Sequence, residues 1–111
     1  MPVRDPPWRW RKEQYIEHLR DADRSVLRVS LADKLHNARA ILRDYRALGE
    51  QLWSRFNAGP DDELWYYRSI LKVCRKRISS PLLDDLDRTV SELEDLITAD
   101  TGSRPVVTTD G

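Results

Sequence analysis

Asp33 and Asn37 stand one helical turn apart in the stretch SLADKLHN. At about 100° per residue they share a helix face with Val26, Ser30, Ala40 and Ile41. A carboxylate on a half-apolar face is costly to bury unless it is paired, hydrogen-bonded or bound to a metal. Asp33 is therefore the side chain best placed for chemistry, and a carboxylate suits a hard metal ion.

Other reactive groups are few. His18 and His36 are the only histidines, and no His-Asp dipeptide occurs. His36 projects toward a flank carrying Arg28, Arg39, Arg43 and Arg46 and reads as solvated, as does His18 among its charged neighbours. The single cysteine, Cys74, excludes an internal disulfide and any Cys-rich zinc site, and it reads as a buried, inert thiol. No Gly-rich phosphate loop, Ser-His-Asp set or Cys-His pairing is present.

The element that must carry Asp33 and Asn37 is a helix over Val26–Arg46. Leu27, Leu31, Leu35, Ala38, Leu42 and Tyr45 give it one broad apolar stripe. The half-apolar opposite face implies a helix set between partners. Upstream, Asp5-Pro6-Pro7 can cap and start a helix running from Trp8 to about Arg20, with Trp8, Tyr15, Ile16 and Leu19 inward. Asp21-Ala22-Asp23 breaks it, and Asp23 or Ser25 can cap the central helix. Gly49 ends that helix or nearly so, Glu50–Phe56 reads as a short helical extension, and Asn57-Ala58-Gly59-Pro60 can supply a positive-φ cap and a stop.

Asp61-Asp62-Glu63 is an acidic first turn suited to the helix dipole. It opens a helix from Leu64 to about Arg77 that bears Trp65, Tyr66 and Tyr67, residues that pack a core or line a cleft. Arg75-Lys76-Arg77 falls at its C-terminus, where the dipole favours cations; a binding patch is the alternative. Ser79-Ser80-Pro81 starts a last helix whose Leu83, Leu86, Val90, Leu93 and Ile97 form a narrow seam for a neighbouring helix. No strand signal and no internal repeat appear. The expected fold is all-α, with residues 1–99 as one helical unit and 100–111 as a flexible tail.

Lys+Arg and Asp+Glu both number 19 in 111 residues, so no global field draws in nucleic acid or a membrane surface. No apolar run serves as a signal peptide or a membrane span, which makes the expected location cytoplasmic.

Ser30–Asn37 resembles the last conserved motif of HD-domain phosphohydrolases, in the branch that removes the 3′-pyrophosphate from guanosine alarmones. There a helix reading (L/V)-A-D-(K/R)-L-x-N supplies the final aspartate ligand of a divalent metal, usually manganese, and an asparagine that approaches the nucleotide. The resemblance makes Asp33 the metal ligand and Asn37 the nucleotide contact, and it extends through WRWRKEQYIEHLR upstream and RFNAGPDDELWYYRSIL downstream. The upstream histidine, His-Asp pair and acidic pair of that family are not in this chain, and position 40 is alanine where many relatives carry threonine. A catalytic ion usually takes three or more protein ligands.

The expectation is thus the C-terminal half of an HD-type domain, inactive alone, from a truncated or split gene or from a longer protein. Its divalent metal would be bound only if other ligands were supplied, and its partners would be a guanine nucleotide and either a second copy or a separate N-terminal half-domain. The alternative is a non-enzymatic helical interaction or oligomerisation module, since an uncovered apolar face marks a binding surface.

Overall fold

The computed structural model describes residues 7–56 and 58–101. Four α-helices and one 3-10 segment follow one another: α1 (Trp8–Asp21), α2 (Arg24–Leu48), the 3-10 segment Gly49–Arg55, α3 (Pro60–Arg75) and α4 (Pro81–Thr101). The chain is all-α, and none of the described residues forms a strand. No helix among them is long and apolar enough to cross a membrane. Most of the expected tail, 102–111, lies outside the described residues, as do Asp5 and Pro6 of the expected first cap.

Local chemistry accounts for the helix ends. Gly49 has φ 64°, a left-handed turn that a Cβ would strain, and its N–H returns to the Tyr45 carbonyl to close α2. Gly59 does not supply the second positive-φ cap. It is extended at φ −83° and serves as the N-cap of α3, because Pro60 already holds the φ of a first helical residue. α3 accordingly starts four residues earlier than its apolar pattern implied and ends at Arg75, two residues sooner. The Ser80 hydroxyl accepts a hydrogen bond from the Leu82 N–H at 3.1 Å and secures the start of α4.

The core lies between α2, α3 and α4. Every residue of the α2 stripe is buried, as is every residue of the α4 seam from Leu83 to Ile97. α2 packs most extensively along α4, α4 also lies on α3, and α1 rests chiefly on α3 rather than on the second face of α2. That placement of α1 decides what happens around Asp33. Ser30 and Ile41 are covered, while Val26 is 42% and Val29 70% exposed. At the far end the Tyr45 hydroxyl donates toward Glu50 and Asp100, at 2.9 and 2.8 Å, and ties α2 to the 3-10 segment and to the end of α4.

Candidate functional site

An open groove of about 410 Å³ runs beside the first turns of α2, lined by Tyr15, Ser25, Val26, Val29, Ser30 and Asp33. Its floor is pinned by a 2.5 Å hydrogen bond between the Tyr15 and Ser30 hydroxyls, which joins α1 to α2. The two valines form its apolar side.

Asp33 stands at this groove with its side chain 58% exposed. Its one ion-pair partner among the described residues is the adjacent Lys34, whose Nζ lies 3.1 Å from Oδ2. Lys34 is far more enclosed, at 13% exposure, with its ammonium set against two aromatic rings. The ammonium sits 4.8 Å from the Tyr15 ring centroid and 5.8 Å from that of Tyr66. Asn37 is half-buried one turn further along α2 and does not line the groove. The groove thus gathers one of the two residues singled out from the sequence.

Behind Lys34 lies a second cation, Lys12 of α1. Its Nζ is 4.7 Å from the Tyr66 centroid and 5.7 Å from that of Trp8. Burial pulls the Lys12 pKa down and the charge of Lys34 adds to this, while Glu63 opposes it. Glu63, at the start of α3, is only 9% exposed. Burial pushes its carboxyl above the usual range, Lys12 opposes that shift, and Asp62 adds to it. Tyr66 and Tyr67, next to this cluster, have phenols pushed up by burial first and by the nearby phenol and carboxylate groups second.

Lys34, Lys12 and Glu63 are the polar residues around the site that the sequence reading passed over. Lys34 carried a usable signal: it lies one turn from both Leu31 and Ala38, at the edge of the apolar stripe. Glu63 carried none, since an acidic first turn normally stays in water. His18 and His36 are exposed. Cys74 is buried, and burial raises its thiol pKa above the ordinary value.

One exposed carboxylate can accept hydrogen bonds or give oxygen ligands to a cation. Among the described residues, no three of His, Cys, Asp or Glu come together as a metal site. These residues by themselves therefore do not fit the divalent ion that the Ser30–Asn37 resemblance implies. No protein-family model matches the chain, and no curated protein matches it.

Proposed function

We propose that this chain is the C-terminal part of an HD-type phosphohydrolase acting on guanosine alarmones. Asp33 would be one metal ligand among several and Asn37 a contact to the nucleotide. The observation that supports this reading is the state of Asp33. Its carboxylate is exposed at a groove, held among the described residues only by its neighbour Lys34, with Val26 and Val29 uncovered beside it. A carboxylate that served the fold would be expected in a pair between elements or in the core. The remaining ligands would come from residues outside these 111, so we assign the chain no hydrolytic step of its own.

Complementation tests this. The chain alone, with manganese and guanosine tetraphosphate, should release no pyrophosphate. Mixed with a polypeptide carrying the His and His-Asp half of an alarmone hydrolase, it should turn over, and Asp33→Asn should abolish that turnover. Turnover by the mixture that survives Asp33→Asn, or a mixture that associates and stays inactive, would overturn the assignment.

The exposed valines also favour a second reading, a non-enzymatic module whose groove is covered by a second copy. Apolar burial contributes about 25 cal/mol per Å², and a two-fold pair is the simplest closed arrangement. Sedimentation at micromolar concentration separates the two: a dimer lost in Val29→Glu, with no complementation, supports the module.

A further inference from the structure

A second groove, also about 410 Å³ and sharing no lining residue with the first, collects cations from parts of the chain fifty residues apart. Arg24 and Arg28, at i and i+4, project from the first turns of α2. Lys76, Arg77 and Ser79 come from the link between α3 and α4. Among the described residues, no carboxylate lines this groove.

Several arginines elsewhere on the surface are paired. Arg68 bonds Glu94, Arg46 bonds Glu92, and Arg75, at the edge of this groove, is held by Asp84 and Asp87 at 3.8 and 3.0 Å. Arg24, Arg28 and Lys76 make no ion pair among the described residues. Five cationic side chains, Arg24, Arg28, Arg75, Lys76 and Arg77, thus line one groove. Like charges brought together disfavour the folded state unless an anion joins them.

Two features prepare the place. Arg77 Nη1 donates to the carbonyls of Leu19 and Arg20, at 3.1 and 3.0 Å, which locks the α3–α4 link onto the end of α1. α2 has no acidic residue in its first turn, and its N-cap residue, Asp23, makes no side-chain hydrogen bond to the first-turn amides. Arg24 is the first residue of α2, so its charge stands at the positive end of the helix dipole.

We propose that this groove binds the phosphate chain of a small polyphosphate anion. It is a small, open groove of about the extent of a phosphate chain. It contains no aromatic side chain on which a base could stack, so it reads phosphate charge and not the base. Zero net charge in the whole chain argues against nucleic acid as the occupant.

The test is an amide NMR titration of the whole chain with inorganic tripolyphosphate, with adenosine triphosphate and a short single-stranded RNA as parallel arms. Saturable shifts should appear at Arg24, Arg28, Lys76, Arg77 and Ser79, similar for tripolyphosphate and the nucleotide and weakened by salt. Replacing both Arg28 and Lys76 by Glu should weaken binding by roughly tenfold or more, with circular dichroism confirming the fold. Asp33→Asn should leave it unchanged, which separates this groove from the proposed phosphohydrolase site. Absence of saturable shifts, binding retained by the double variant, or RNA binding far above tripolyphosphate would each overturn the proposal.

Discussion

The hydroxyls of Tyr15 and Ser30 meet at 2.5 Å, and this one contact fastens α1 to the face of α2 that carries Asp33. Both residues line the groove, and Ser30 is only 5% exposed. Losing one partner of such a bond costs about 1 kcal/mol. Tyr15→Phe and Ser30→Ala should each lower the melting temperature by about 4–8 °C. The double variant should fall short of the sum, because the partners share one interaction. Additive losses in calorimetry would mean that the hydroxyls act separately.

Asp33 and Val29 are expected to matter little to stability. Among the described residues Asp33 pairs only with an adjacent lysine, and exposed pairs contribute about 0–1 kcal/mol. Val29 is 70% exposed. Asp33→Ala and Val29→Lys should unfold in urea within about 0.5 kcal/mol of the parent chain. A loss of several kcal/mol in either would assign that residue to the fold and remove it from the proposed site.

Glu63 should be a liability at neutral pH. Burial raises its carboxyl pKa in the folded chain, so the native state holds this proton more tightly than the unfolded chain does. Stability from this group is complete below the ordinary value of 4.5 and is lost as pH rises through the raised folded value. Glu63→Gln should therefore melt higher than the parent at pH 7, and the difference should vanish below about pH 4. If the parent melts higher at pH 7, the attraction of Lys12 outweighs burial.

Gly49 should resist substitution. At φ 64° and ψ −146° its backbone is nearly closed to residues with a Cβ, although nothing lies within 4 Å of where that atom would be. The cost is conformational strain, about 1–3 kcal/mol. Gly49→Ala should lower the urea midpoint correspondingly, with the slope unchanged.

Much of the fold was legible in the residues alone. The spacing from Leu27 to Tyr45 marks the buried stripe of α2, and that from Leu83 to Ile97 marks the seam of α4. Gly49 marks the break between α2 and the 3-10 segment. These are local properties, because periodicity and backbone restriction act within one helix or one turn. Periodicity does not say which apolar face meets which, since faces of similar composition are interchangeable to a one-helix pattern. Only the tertiary structure set α1 against α3 and left Val26 and Val29 uncovered beside Asp33. It also placed Lys12 and Lys34 at the Tyr66 ring, buried Glu63, and brought Arg24 and Arg28 to Lys76 and Arg77. Those outcomes depend on contacts across about fifty residues of chain, and they decide where charge is shielded and where it is left open to a ligand.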